Sequence, residues 1–160
     1  MSEEKKLETF QKLAGSRQAL LSLLDDLDQS QWDLVVYTED AEWTVKDLLI
    51  HIMIAEKSMT RLVEVIQEGG EGASEDFDLT RWNTRTVQKS SDKAPNDIRA
   101  EMIANRGHLL ELLDSMPESD WQKKGRHGSL RIMTVEEILH LIADHECDHM
   151  NDISKVLEAD

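Results

Sequence analysis

Apolar residues recur every three or four positions in four long segments of this sequence, and the alternation typical of strands is almost absent. At about 100° per residue, this spacing places the apolar side chains of each segment on one stripe of a helix. The segments cover residues 7–27, 44–67, 96–113 and 134–157. Four helices of this length predict an all-α protein, a four-helix bundle that forms a single domain over residues 1–160.

Helix boundaries can be read from local signals. Thr44 with Asp47, and Thr134 with Glu137, have the spacing of capping boxes at the starts of the second and fourth helices. Pro95 precedes the third helix, where its missing N–H is tolerated. The stripe of the first helix that we expect to face the core consists of Leu7, Phe10, Ala14, Leu21 and Leu24.

The connections between these helices carry topological information. Residues 28–43, 68–93 and 114–133 form connections longer than the two to eight residues usual between antiparallel helices. The longest, 68–93, begins with the acidic sequence GGEGASED and then has helix-forming residues at about 80–88. A crossover there predicts that the second and third helices run parallel.

Charge narrows the range of partners. The chain has 18 Lys and Arg against 33 Asp and Glu, a net charge of −15. Such a surface disfavours nucleic acids and anionic membranes, because binding to them depends on Lys and Arg. No run of 18 apolar residues occurs, and the first twenty residues do not resemble a secretion signal. We therefore expect a cytoplasmic protein. Its one cysteine, Cys147, excludes an internal disulfide.

The fourth helix contains the sequence His145-Glu146-Cys147-Asp148-His149, which matches the pattern H-E-x-x-H. Histidines four residues apart share one face of a helix, and here that face also carries the apolar residues. Burying two imidazoles without partners costs on the order of 1 to 3 kcal/mol each. A shared metal ion removes that cost because it binds both rings.

Helical phase supplies a third ligand. The second and fourth helices start alike, TVKDLL against TVEEIL, so their residues can be counted from Thr44 and Thr134. On that common scale His51, His145 and His149 fall within about 80° of one another, whereas His140 points elsewhere. The sequence therefore predicts a site for a divalent metal on these three histidines. The alternative is three polar core residues satisfied by Asp152, by Asn105 or by water.

A zincin protease is the other reading of H-E-x-x-H, with Glu146 as the general base. The metzincin continuation requires Gly and His where this chain has Asp152 and Lys155, and the sequence ends eleven residues after His149. We reject that reading and expect Glu146 near the metal or at the surface. Cys147 is expected to face away from the site, and His108 and His127 to be exposed.

Several motifs together resemble the DinB/YfiT-like superfamily of metal-binding four-helix bundles. Trp43-Thr44 leads to His51, and His145 and His149 are followed by Asp152-Ile153. The segment DLTRWN, which ends at Asn83, is similar to a Trp/Phe-Asn signature of the long crossover. The resemblance covers nearly the whole chain. Many members have Gln where this chain has Asp152.

The resemblance implies an up-down-down-up bundle, commonly a homodimer, that holds zinc or nickel on three histidines with open coordination positions. It also implies thiol-dependent transferases, which act with a low-molecular-weight thiol, and a glutathione- or mycothiol-dependent isomerase type. Because a bound cation lowers the pKa of a thiol or of water, we expect a thiol transferase or hydrolase that acts on a small electrophilic substrate. Asp152, Glu146, Asn83 and Asn105 are the residues expected around the site. The alternative function is a non-catalytic binding or interaction module that the metal stabilises, with a role in stress responses.

Overall fold

Helices dominate the computed structural model, which describes residues 3–37 and 42–160. Within these residues the helices are α1 (Glu3–Asp26), α2 (Val45–Gln67), α3 (Leu79–Lys89), α4 (Pro95–Ser115) and α5 (Val135–Ala159). The four long helices form the predicted bundle, and α3 is the short helix predicted within the crossover. No helix of the described residues is long and apolar enough to cross a membrane.

Side-chain contacts along the bundle fix the helix directions. They pair the start of α1 with the start of α5 and with the end of α4, so α1 is parallel to α5 and antiparallel to α4. The same logic makes α2 parallel to α4. The pairs are Lys5 with Glu136, Arg17 with Glu146, Lys6 with Asp114, Asp25 with Arg99, Glu56 with Arg106 and Glu64 with His108. The up-down-down-up topology is therefore confirmed.

Two short antiparallel strand pairs were not foreseen from the sequence. β1 (Val35–Tyr37) pairs with β2 (Trp43–Thr44), and β3 (Lys124–Arg126) pairs with β4 (Ile132–Thr134). Strands of two or three residues are too short to show an alternating pattern. The second strand of each pair ends at the N-cap of a long helix, Thr44 for α2 and Thr134 for α5. These are the two helices that carry the predicted metal ligands. Both predicted capping boxes are present.

The bundle core consists of two apolar clusters stacked along its axis. One includes Leu13, Ala55, Met59, Leu109 and Ile142, and the other includes Leu20, Ile52, Met53, Met102 and Ile153. Each of the four long helices has one buried charged residue near the level at which the two clusters meet: Arg17 on α1, Glu56 on α2, Arg106 on α4 and Glu146 on α5. None of these four side chains is more than 5% exposed.

These four residues form a closed buried ring of ion pairs. Arg17 donates from Nε to Glu146 Oε1 at 2.7 Å and from Nη2 to Glu56. Arg106 donates from Nε to Glu56 Oε1 at 2.7 Å and from Nη2 to Glu146 Oε2 at 2.8 Å. Each guanidinium therefore binds both carboxylates, and the two positive and two negative charges balance. Burial of charge is tolerable only when partners are arranged in this way.

The predicted core stripe of α1 is largely wrong. Leu7 is 56% exposed and Phe10 is 37% exposed, and of the five predicted residues only Leu24 is fully buried. The buried residues of α1 are Thr9, Leu13, Ser16, Arg17, Leu20 and Leu24. The physical reason is the ring: its ion pairs hold Arg17 inside the bundle, so the buried face of α1 is the one that contains Arg17, and Leu7 and Phe10 lie outside it.

Candidate metal centre

The Nε2 atoms of three histidines lie close together between α2 and α5. His51 lies in the second turn of α2, and His145 and His149 lie one turn apart on α5. His51 Nε2 is 3.1 Å from His145 Nε2, which is 3.0 Å from His149 Nε2. The ligand atoms of all three lie within 4.8 Å of one another. The antiparallel pairing of α2 and α5 produces this convergence, since it brings the start of one helix to the later turns of the other.

All three histidines are held in the neutral form. Burial, followed by the proximity of His145, lowers the pKa of His51 to about 3. Burial, followed by the proximity of His149, lowers the pKa of His145 to about 4. Burial also lowers the pKa of His149, although Asp152 and Asp148 act in the opposite direction. Neutral imidazoles keep the lone pairs that a metal ion requires.

The donor set fits a divalent cation. Each Nε2 has either one proton or one lone pair, so hydrogen bonds alone do not satisfy a nitrogen that faces two others. Three nitrogens at about 2.0–2.1 Å from a tetrahedral ion are separated by about 3.3–3.4 Å. The separations of His145 Nε2 from His51 Nε2, 3.1 Å, and from His149 Nε2, 3.0 Å, are close to that value. Three histidines leave at least one coordination position open, which is the arrangement of catalytic zinc sites.

Tyr37 and Asp152 lie on the Nδ1 side of the His149 ring, opposite the nitrogen cluster. The Tyr37 hydroxyl lies 3.3 Å from His149 Nδ1 and donates a hydrogen bond to the Asp152 carboxylate. Burial and the hydrogen bond to Asp152 raise the pKa of Tyr37, so its hydroxyl keeps its proton. The hydroxyl oxygen can therefore accept from a protonated Nδ1, which leaves the lone pair of His149 on Nε2. Sequence reasoning missed Tyr37, although it is the chain's one tyrosine.

A cavity of about 350 Å³ adjoins two of the three histidines, His51 and His145. His51 and His145 line it, together with residues of α2, the crossover, α3 and the turn between β3 and β4. Most of its wall is apolar, including Ala55, Met59, Leu62, Val65, Phe77 and Leu141. Asn83 lies on the wall that α3 provides. The volume is in the range of small-molecule sites.

Comparison with known proteins identifies the family. The model of the DinB superfamily matches residues 12–153 of this chain. The chain belongs to the DinB superfamily. The family indicated by the sequence motifs is therefore confirmed. Among curated proteins, no sequence matches this DinB chain.

Solved structures share the DinB fold at low sequence identity. YfiT from Bacillus subtilis, a probable metal-dependent hydrolase with an unusual four-helix bundle topology, has a TM-score of 0.82 at 20% identity, covering 99% of this chain and 89% of YfiT. A mycothiol-dependent maleylpyruvate isomerase has a TM-score of 0.79 at 14% identity, and the match covers 92% of this chain and 60% of the isomerase. The colibactin self-resistance protein ClbS, solved with double-stranded DNA, has a TM-score of 0.74 at 11% identity, covering 96% of this chain and 94% of ClbS.

Two residues expected around the metal lie elsewhere in this DinB chain. The Glu146 carboxylate turns away from the histidines into the buried ring, where Ser16, Arg17 and Arg106 donate to it. Asn105 donates to the Met53 carbonyl at 3.4 Å on the α2–α4 side of the bundle. The position of each residue on its helix predicted that both lie near the core. It did not predict whether their side chains point toward the histidines or toward other buried groups.

The remaining histidines and the cysteine are distributed as follows. His108 is exposed, as predicted, and pairs with Glu64 at 2.8 Å. His140 lies on the side of α5 that faces α1, 3.2 Å from Lys12 Nζ. Cys147 is half-buried and does not line the cavity. The expectation that His127 is exposed is wrong, because it is half-buried and lines the cavity.

Proposed function

We propose that this protein is a metal-dependent enzyme, a hydrolase or a thiol transferase, that acts on a small electrophilic molecule bound in the cavity. The observation that supports the proposal is the placement of His51 and His145, which belong both to the nitrogen cluster and to the cavity wall. A ligand in the cavity approaches the metal position from this side. His149 lies behind, where Tyr37 and Asp152 fix its orientation.

Different residues of the chain bind the ion, orient its ligands and exclude water. His51, His145 and His149 hold the ion, and Tyr37 with Asp152 keeps the proton of His149 on Nδ1. The apolar wall excludes water from the substrate and so strengthens electrostatic interactions at the reacting end. When bound, a divalent cation supplies the positive charge that makes water or a thiol acidic enough to react near neutral pH.

Zinc or nickel is the expected ion, because three imidazole nitrogens suit either and both rank high in the Irving–Williams order. The test is the metal content of gently purified protein, with His51→Ala and His149→Ala as site variants. His140→Ala is the matched control, since His140 lies outside the cluster. We expect one ion per chain in the wild type and in the control, and a large loss in both site variants. Equal metal content in all four proteins would refute the proposal.

Spectroscopy distinguishes the two candidate nucleophiles, a thiol and water. Cobalt- or nickel-substituted protein is titrated with a low-molecular-weight thiol while its ligand-field bands are recorded. A spectral change on adding thiol supports the transferase, and an unchanged spectrum in a protein with hydrolytic activity supports the hydrolase. A filled coordination sphere with neither response supports the alternative, a binding or interaction module that the metal stabilises by joining α2 to α5.

We also propose that the chain acts in the cytoplasm as one domain and associates as a homodimer. The proposal is supported by apolar side chains that are exposed or half-buried on α1 and α4, two helices that pack against each other. They are Leu7, Phe10, Ala14, Leu21 and Ile103. Sedimentation of the wild type and of Phe10→Glu tests this, with a dimer expected only for the wild type.

The proposed partner is a small molecule rather than a nucleic acid. ClbS was solved with DNA, but the net charge of −15 of this chain opposes binding to a phosphate backbone. We expect no shift of double-stranded DNA in a gel assay at low salt, where electrostatic binding is strongest. A stable complex under those conditions would refute this part of the proposal.

A further inference from the structure

The cavity is long, and its polar groups are few. Its lining follows α2 from His51 to Val65, a rise of about 21 Å at 1.5 Å per residue. Beyond His51 and His145, the side chains on the wall that carry a polar or charged group belong to Ser58, Arg61, Trp82, Asn83 and His127. A molecule bound here meets mostly carbon, so each polar contact has a strong influence on which molecule fits.

Of these five side chains, His127 is the one whose ring accepts a hydrogen bond from a backbone N–H. It lies in the tight turn between β3 and β4, where its N–H donates to the Arg131 carbonyl at 2.9 Å. Its own carbonyl accepts from the Leu130 N–H at 2.8 Å. The Ser129 N–H donates to His127 Nδ1 at 3.1 Å, and the Ser129 hydroxyl lies 3.0 Å from the same nitrogen.

These contacts determine the tautomer of His127. A backbone N–H can only donate, so Nδ1 accepts and carries no proton. Burial, followed by the proximity of Arg131, lowers the pKa of His127, so the ring is neutral. The single proton therefore lies on Nε2. Among the described residues, no hydrogen-bond partner of Nε2 is seen, and the ring is part of the cavity wall.

We propose that the cavity binds an uncharged, largely apolar molecule and that His127 Nε2–H donates a hydrogen bond to the one acceptor group of that molecule. The inference rests on the proposed function, because it identifies the substrate class of the same site. His127 acts in it as a specificity-determining residue.

Charge on the cavity wall supports an uncharged ligand. Arg61 is the cationic side chain on the lining, but it is 63% exposed and pairs with Glu64 at 3.2 Å. An anion at that position would compete with Glu64 and with water. The strongly acidic surface of the chain also repels anions. A peptide-like thiol such as glutathione, with several charged groups, has few complementary partners on this wall.

The first test reads the tautomer of His127 directly. Long-range ¹H–¹⁵N correlation spectra of the full chain distinguish the two neutral forms of each histidine ring. We expect His127 to carry its proton on Nε2 at neutral pH. A proton on Nδ1 would overturn the proposal, since the donor would then face Ser129 instead of the cavity.

The second test compares two probes with the same carbon skeleton, benzylacetone, which has a carbonyl acceptor, and butylbenzene, which has none. Dissociation constants are measured by NMR titration of the wild type, His127→Phe, His127→Gln and the control His108→Phe. Replacing the donor by phenylalanine should lower the preference for benzylacetone over butylbenzene by roughly 2- to 13-fold, the value of one neutral hydrogen bond. Glutamine, whose amide reaches about as far as Nε2, should retain most of the preference.

The outcomes separate this inference from the proposed function, because the zinc content of every sample is measured independently. An unchanged preference in His127→Phe would overturn the role of His127, even if zinc binds as proposed. Tighter binding of glutathione than of benzylacetone to zinc-free protein, where no ion can bind the thiol, would overturn the substrate class. Wild-type protein that is purified without zinc but shows the preference would contradict the metal proposal and leave this inference in place.

Discussion

Glu146→Gln is the most informative single change in this protein. In a zincin, the equivalent substitution would abolish catalysis and leave the fold intact. Here Glu146 is 1% exposed and belongs to the buried ring, where it accepts from Arg17 at 2.7 Å and from Arg106 at 2.8 Å. The amide that replaces it is neutral and presents an NH₂ group to one of the two guanidiniums. The ring is left with two positive charges and one negative charge.

Removing one partner of a buried ion pair typically costs about 3–5 kcal/mol, because the remaining charge is desolvated and uncompensated. We expect a loss of this size in the free energy of unfolding. Since natural domains have about 5–15 kcal/mol in total, the variant should fold but with a small margin. With a urea m-value of about 2 kcal/mol/M, the midpoint should fall by roughly 1.5–2.5 M.

The control is Glu136→Gln on the same helix. Glu136 pairs with Lys5 at 3.6 Å near the surface, and its side chain is 22% exposed, so the cost should stay below about 1 kcal/mol. Zinc content is measured on both folded variants. A loss below about 1 kcal/mol for Glu146→Gln would refute our account of the ring. Loss of zinc with unchanged stability would show that Glu146 supports the metal after all.

Three further predictions follow from the site. Tyr37→Phe should weaken zinc affinity about 10- to 100-fold with the fold intact, measured by competition with a chelator, because it removes the group that orients His149. Asn105→Ala should leave that affinity unchanged, because Asn105 contacts Met53 rather than the histidines. The metal-free protein should lose stability as the pH falls from about 6.5 toward 4 in urea titrations. Since burial lowers the pKa of His51 to about 3 and of His145 to about 4, the unfolded chain binds more protons in that range. A stability that is flat with pH would contradict the neutral state of the cluster.

Sequence periodicity predicted the helices well because burial imposes the same 3.6-residue repeat on every bundle helix. Phase alone also placed His51, His145 and His149 on facing sides of α2 and α5. The method failed for α1, where Arg17 is buried and Phe10 is exposed. An ion pair between helices distant in sequence has no signature in the local pattern, so periodicity assigned the inward face by hydropathy.

The surroundings of the site were less predictable for a related reason. Tyr37 reaches His149 from a three-residue strand, and His127 reaches the cavity from a tight turn. Neither residue lies on a periodic element, so its direction depends on the tertiary path of the connection. Glu146 shows the converse case. Its spacing in H-E-x-x-H suggested a role beside the metal, whereas a rotation of about 100° per residue turns it toward the ring.

The ring and the metal cluster depend on each other through the helices they share. Glu146 follows His145 directly on α5, and Glu56 lies five residues after His51 on α2. Because both guanidiniums bind both carboxylates, a shift of α2 along α5 would break several charge-assisted bonds together. The same shift would separate nitrogens that now lie 3.0–3.1 Å apart. The ring therefore fixes the helix register that brings the three imidazoles together before any ion binds.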